Sequence, residues 1–255
     1  MVSNTPSRCR PISPVAALLA LVSTLALGAC TETARSGAEL PPSGAAPRAR
    51  AGWSGPGHEL AGSLHGRTGA YLTVGDAASL VEVRVADLPG LLYRITTPAE
   101  SGLAPRVTGP AGRVRVGLRP TGADGPDAVT IELNRVVRWD IRLPAGAGEQ
   151  HLDLAGGRIA RLELGSAGLI DVRLPRPRGT VPVTLRDGTG TVEIAAPAAT
   201  PVRVRLRAGA GKVSTRWTAN DGSPPGTVLA SAGWTAARDR YALDARAGVG
   251  ALSLR

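Results

Sequence analysis

Gly168-Leu-Ile-Asp-Val-Arg-Leu-Pro175, Gly179-Thr-Val-Pro-Val-Thr-Leu185 and Gly190-Thr-Val-Glu-Ile-Ala-Ala-Pro197 repeat one pattern at an interval of eleven residues. Apolar side chains fall two, four and six residues after each glycine: Ile170, Val172 and Leu174; Val181, Val183 and Leu185; Val192, Ile194 and Ala196. Alternate side chains of an extended strand share a face, so each segment predicts a short strand with one buried side. The beat extends in both directions. Thr200-Pro-Val-Arg-Val-Arg-Leu206 supplies Val202, Val204 and Leu206, and Gly211-Lys-Val-Ser-Thr-Arg-Trp217 follows. Gly157 opens an earlier beat in which Leu162 and Leu164 fall one residue out of phase with Ile159, which predicts a bulge or bend. After an irregular stretch from Ala219 to Arg238, the pattern returns at Tyr241-Ala-Leu-Asp-Ala245 and Gly250-Ala-Leu-Ser-Leu254.

Eleven residues hold one strand and a turn of about four residues, which leaves no room for the dozen or more of a helical crossover. Two beats, 22 residues, then make one coil of a β-solenoid with two strands per rung. Glycine at each turn is expected to supply a positive φ without steric cost, and its small neighbours let successive turns stack. The chain has 33 Gly, 21 Pro and no Phe among 255 residues, and 43% of it is hydrophobic, which predicts a narrow aliphatic core. Alternations at Val81–Val85, Val114–Val116, Val129–Leu133 and Trp139–Leu143 carry the strand pattern towards the amino end. The fold class is therefore all-β, a β-solenoid of about 11-residue half-turns spanning 69–255. The alternative is an antiparallel β-sandwich, whose turns also recur every 8–12 residues. In either case the chain ends on a strand, and the proline-rich 220s are the segment available to cover that edge.

Arg138-Trp-Asp-Ile-Arg-Leu-Pro-Ala-Gly-Ala-Gly148, followed by the Gly-x-Gly-punctuated strands, resembles the bacterial "putative adhesin" solenoids, also called toast-rack domains. These are domains of unknown function on exported or membrane-attached bacterial proteins. The resemblance covers about residues 70–255 and implies a β-solenoid on a cell-envelope protein. It implies no active site and carries no functional residues over to this chain.

Residues 1–29 have the layout of a secretory signal, with Arg8 and Arg10 before an apolar run from Val15 to Leu27 that is too short for a membrane span. The run ends in Leu27-Gly28-Ala29-Cys30, which resembles a bacterial lipobox: cleavage before Cys30 and attachment of a lipid to its thiol. The alternative is an ordinary signal peptide in which Cys30 is incidental. Cys9 is the only other cysteine, so a processed chain keeps no thiol for a disulfide, a metal or a nucleophile. Residues 30–68 are rich in Ala, Gly, Pro and Ser without hydrophobic period and read as a tether. The expected location is the extracytoplasmic face of the cell membrane, held by the lipid anchor and aided by basic charge.

Thirty basic residues against twenty acidic ones give a net charge of +10, and loss of residues 1–29 leaves +8. Lys212 is the only lysine, so the excess is almost entirely arginine and reflects in part a codon bias. Arg203, Arg205 and Arg207 alternate outward on one predicted strand, and Lys212 and Arg216 follow on the next. Together they form a candidate anion-binding stripe for an acidic envelope polymer or anionic lipid, because the guanidinium fork matches phosphate and carboxylate oxygens. The alternative is that they are solvated edge positions. Another envelope protein is the other candidate partner, and nucleic acid is not expected.

No cofactor or metal site is predicted. Arg207-Ala-Gly-Ala-Gly-Lys-Val-Ser214 lacks the spacing and strand-to-helix context of a phosphate loop. His58, His65 and His151 are scattered, without His-Glu-x-x-His. Asp153, Glu163, Asp171 and Glu193 are the only candidate catalytic groups. Asp171 and Glu193, 22 residues apart, should stack on adjacent rungs of one face. A glycosidase pair also needs a cleft and a set separation. The leading expectation is a non-catalytic binding, adhesin-like or scaffold module; the alternative is a polysaccharide-acting solenoid enzyme using those carboxylates.

Overall fold

A computed structural model describes residues 57–255, all of whose strands lie in two sheets. The expected signal segment, Cys30 and the tether up to residue 56 lie outside the described residues. The folded part starts earlier than position 69. β1 (His58–Ser63) is a strand within the stretch read as tether, and its largely exposed residues, with Leu60 and Ala61 adjacent and not alternating, give no hydrophobic period for a sequence reading to detect.

β2 (Gly69–Val74) and β3 (Ala78–Ala86) form the first two-strand rung. Two further strands, β4 (Leu91–Thr97) and β5 (Leu103–Thr108), precede the second rung, β6 (Arg113–Pro120) and β7 (Ala128–Asn134). Three rungs then follow in succession: β8 (Arg138–Leu143) with β9 (Ala147–Asp153), β10 (Arg158–Leu164) with β11 (Ala167–Arg173), and β12 (Thr180–Leu185) with β13 (Thr189–Ala195). The sixth is β14 (Val202–Leu206) with β15 (Ala210–Ser214). It is followed by β16 (Ala219–Ser223) and β17 (Thr227–Ala230), and by the last rung, β18 (Arg240–Ala245) with β19 (Val249–Leu254).

Within each rung the first strand joins a nine-stranded sheet and the second a ten-stranded one. Neighbouring rungs pair in parallel, with Leu162 opposite Val183 in one sheet and Asp171 opposite Glu193 in the other. This is the β-solenoid that the eleven-residue beat predicts, and the parallel ladders replace the antiparallel sandwich. The phase slip after Gly157 is a register shift between Ile159 and Arg161.

The core follows from the register. Val114, Leu72, Ile141, Leu162, Val183, Leu243 and Val204 form one aliphatic column across seven rungs, each buried. Burying such a side chain contributes roughly 1.5–3 kcal/mol. The core is not wholly aliphatic, since Trp139 and Tyr241 are its bulkiest buried side chains. Trp139 fits because its neighbour on the preceding rung is only Ala70.

The repeated glycines serve a purpose different from the one expected. Gly168, Gly190 and Gly211 are not among the glycines with positive φ, whereas Gly179 is, at 75°. Instead, Gly148, Gly168, Gly190, Gly250 and Gly211 form a column in which each approaches a backbone carbonyl of the adjacent rung. A Cβ at Gly168 would sit 3.1 Å from the Gly148 oxygen, and one at Gly250 would sit 2.6 Å from the Gly190 oxygen. Close stacking, not turn geometry, fixes glycine at these positions.

Rung order in space departs from rung order in the chain. β2–β3 lies between β6–β7 and β8–β9, and β18–β19 lies between β12–β13 and β14–β15. The final strand β19 is therefore paired on both sides, with β13 and with β15, and is not the edge expected from its place in the chain. The proline-rich 220s do cover an edge, but it is that of the sixth rung: β16 pairs antiparallel with β15 and β17 with β14. At the far end, β4 pairs antiparallel with β7 and β5 with β6. Short antiparallel strands thus blunt both ends of the parallel stack, which limits further strand addition.

Candidate functional site: an arginine-rich sheet and cleft

Charge is divided between the two sheets. Strands of the nine-stranded sheet carry eleven arginines against three carboxylates. Strands of the ten-stranded sheet carry eight carboxylates against Arg84, Arg94, Arg173 and Lys212. The three acids of the basic sheet are all engaged. Asp140 meets Arg142 at 2.9 Å and Arg161 at 3.7 Å, Glu163 meets Arg186 at 3.3 Å, and Asp244 meets Arg207 at 2.8 Å and Arg246 at 3.6 Å. Hydrogen bonds from the Arg207 guanidinium hold the Asp244 carboxyl below its ordinary range, against a smaller opposing effect of burial. The bond to Asp140 likewise raises Arg142.

The five residues of the predicted stripe do not form one surface. Arg203 and Arg205 lie on β14 and Arg207 follows it, as the alternation implies. Arg203 packs over the Trp234 ring at 4.0 Å, which Arg240 also contacts at 4.1 Å. Arg207 is a bidentate partner of Asp244, both bonds being 2.8 Å. Lys212 is on β15 in the other sheet. Arg216 lies beyond that strand and donates to the carbonyls of Pro197, at 3.2 Å, and Ala196. Of these five, Arg203, Arg205 and Lys212 make no hydrogen bond or ion pair to any described residue, and Arg203 alone of the three stacks on an aromatic ring.

The candidate carboxylates do not converge either. Asp171 and Glu193 occupy paired positions on adjacent rungs, as the 22-residue spacing predicts. Glu193, however, binds Arg255 at 3.0 Å, and Asp171 stands 4.0 Å from His151 Nδ1, whose Nε2 contacts Glu149 at 2.9 Å. Asp153 shares their sheet, and Glu163 is on the opposite one. Among the described residues, no group of three or more His, Cys, Asp or Glu is placed to hold a metal ion. The Gly-rich 207–211 segment is the turn joining β14 to β15 together with the first two residues of β15.

A more concentrated site lies where the chain crosses from the ten-stranded to the nine-stranded sheet. Three consecutive crossings, before β8, β10 and β12, line a cleft of about 730 Å³ whose walls include Arg135, Arg138, Arg158, Arg176 and Arg178. Asp239 is its sole acid, and that carboxylate accepts the Gly179 N–H at 2.6 Å. All five arginines are exposed, and none makes a side-chain hydrogen bond or ion pair to a described residue. Their backbones are firmly held. Buried Asn134 donates through Nδ2 to the carbonyls of Leu88, at 2.7 Å, and Leu91, at 2.6 Å, while its Oδ1 accepts the Val136 N–H. Trp139 Nε1 donates to the Asn134 carbonyl at 3.0 Å. In the third crossing Pro175 and Pro177 are buried while Arg176 and Arg178 face solvent, and the Tyr241 hydroxyl donates to the Pro175 carbonyl at 2.7 Å. The sequence reading missed this cluster because it followed the strands. The signal was present in the turns: Arg138, Arg158 and Arg178 recur at an interval of twenty, at or just before the start of successive strands of one sheet.

A second groove, of about 640 Å³, lies on the basic sheet and combines Arg113, Arg115 and Arg142 with Tyr71. Tyr71 is 49% exposed and has the Arg113 guanidinium 5.4 Å from its ring centre.

No protein-family model matches the chain, and no curated protein matches it. Among solved structures, a putative cell adhesion protein from Clostridium sporogenes ATCC 15579 is 16% identical, over 78% of this chain and 99% of its own, with a TM-score of 0.60. A putative adhesin from Bacteroides fragilis NCTC 9343 aligns over 77% of this chain and 97% of its own, at 10% identity and a TM-score of 0.21. The structural likeness rests on the first of these alone: the chain has the β-solenoid fold of the clostridial adhesion protein.

Proposed function

We propose that this protein is a lipid-anchored, non-catalytic module on the extracytoplasmic face of the cell membrane, which holds an anionic polymer of the envelope against its basic sheet. The single observation that carries the reading is the charge division between the sheets, eleven arginines to three carboxylates on one and an acidic excess on the other. Acids of the basic sheet are already paired with arginines, so its remaining cations face solvent and attract counter-anions. The lipobox-like Leu27-Gly28-Ala29-Cys30 supports anchoring through an acyl chain such as palmitate, and a lipid plus a basic surface gives more persistent attachment than either alone. An adhesin-like role accords with the naming of the clostridial structure.

Retention of the detergent-purified full chain on isolated cell envelope, at low and high salt, tests the binding reading. The expected result is salt-sensitive retention that falls severalfold when Arg113, Arg115 and Arg205 are replaced by alanine together. Unchanged retention in that variant overturns it. Labelling with a radioactive fatty acid that disappears in Cys30→Ser tests the anchor, and release of soluble sugars from envelope glycan by the wild-type chain would overturn the non-catalytic reading.

A further inference from the structure

We infer that the cleft lined by Arg135, Arg138, Arg158, Arg176 and Arg178 is a binding site for an oligophosphate or phosphodiester chain lying along the solenoid axis. Parallel rungs succeed one another at about 4.8 Å, so three consecutive crossings spread their arginines over roughly 10 Å. One anionic group cannot neutralise five cations distributed over that length, and the site is therefore matched to a linear ligand with several charges.

The grouping of the arginines selects the kind of charge. The first crossing contributes Arg135 and Arg138, the last Arg176 and Arg178, and the middle one Arg158. Two guanidinium groups approaching from one turn out of a common plane suit the tetrahedral array of oxygens on a phosphoryl group, whereas a planar carboxylate presents its acceptor sites in one plane. In the Pro-Arg-Pro-Arg segment buried and exposed residues alternate. Burial of Pro175 and Pro177 therefore holds Arg176 and Arg178 on the solvent side before any ligand arrives. Anchoring of the Pro175 carbonyl by Tyr241, and of the first crossing by Asn134 and Trp139, lowers the ordering cost of binding further. The one carboxylate of the cleft, Asp239, accepts the Gly179 N–H, and none of these five guanidinium groups is ion-paired to a described residue.

The site goes beyond the broad basic sheet, because it sits at the crossings between sheets and has its own walls. Calorimetric titration of the full chain in detergent with inorganic tripolyphosphate, at physiological salt, tests it. Orthophosphate and polygalacturonate serve as comparison probes. Tripolyphosphate should bind at least tenfold more tightly than orthophosphate, and Arg138→Ala/Arg158→Ala/Arg178→Ala should weaken it at least tenfold. Lysine in the same three positions keeps the charges without the forks and should lose about threefold. Arg113→Ala/Arg115→Ala/Arg205→Ala should change the affinity less than twofold. Equal losses in the two alanine variants, undiminished binding in the cleft variant, or tighter binding of polygalacturonate overturns the inference. Should the alanine variant fail to fold, the lysine variant decides: wild-type affinity there overturns the inference as well. Tripolyphosphate binding that survives when envelope retention fails overturns only the envelope reading, and the reverse pattern overturns only the phosphate site.

Discussion

Gly190 packs its Cα against the backbone carbonyl of Gly168 on the neighbouring rung, with no room for a Cβ between them. The same relationship repeats along the column. Gly190→Ala is therefore an overpacking substitution against backbone, which costs about 1–3 kcal/mol. Gly188→Ala, where the nearest atom would be 3.9 Å away, should leave stability nearly unchanged. Urea unfolding of the two variants separates a stacking requirement from a general intolerance of substitution in this turn.

Asp244 and Arg207 give the basic sheet a pH dependence of known sign. The folded carboxyl titrates below the unfolded value of about 3.9. Its contribution is thus present above that value and lost as pH falls through the folded one. The stability difference between wild type and Asp244→Asn should shrink as pH is lowered below about 4. In Arg207→Ala the folded and unfolded values of Asp244 draw together, so the stability lost on acidification should be smaller than in wild type. Thermal midpoints measured between neutral and acid pH check both.

Tyr241 joins the core to the cleft. Tyr241→Phe leaves the Pro175 carbonyl without its donor in a buried setting, a loss of about 1–3 kcal/mol. Because that carbonyl fixes the turn bearing Arg176 and Arg178, tripolyphosphate affinity should fall as well, although no phosphate ligand is touched. Burial pushes the Tyr241 phenol above its ordinary value, so unfolding is favoured as pH rises past the unfolded value of about 10. Tyrosinate absorbance in Tyr241→Phe should lack only the last component of the wild-type titration.

Asn134 gathers three backbone partners through one side chain: two carbonyls and the Val136 N–H. Asn134→Ala leaves these groups in a largely buried turn and should cost about 1–3 kcal/mol or more. Hydrogen exchange should quicken at Val136, and the Arg135–Arg138 crossing should lose order before the central rungs do.

The alternating residues of 168–206 were legible as strands because burial on one face imposes a period of two, and all twelve of the apolar positions they mark, Ile170 through Leu206, are buried. The bulge near Ile159 was legible for the same reason, as a slip in phase. Rung order was not, because Val192, Leu252 and Val213 are equally good neighbours in a parallel ladder, and periodicity carries no information on which rung lies beside which. The arginine cleft escaped for a related cause. Its members come from three turns brought together only by stacking, and turns have no hydrophobic period. Arg203 and Arg207 were legible as outward positions, while Trp234, in the segment between β17 and β18, and Asp244, on β18 of the inserted rung, engage them from positions distant in sequence.

The insertion of β18–β19 between two earlier rungs means that the molecule cannot be assembled in the order in which it is synthesised. Until residues 240–255 emerge, β13 and β15 lack the strand that joins them in the native sheet. Closure of the ten-stranded sheet thereby waits for β19, and a copy lacking it would present two adhesive seams in the middle of the stack.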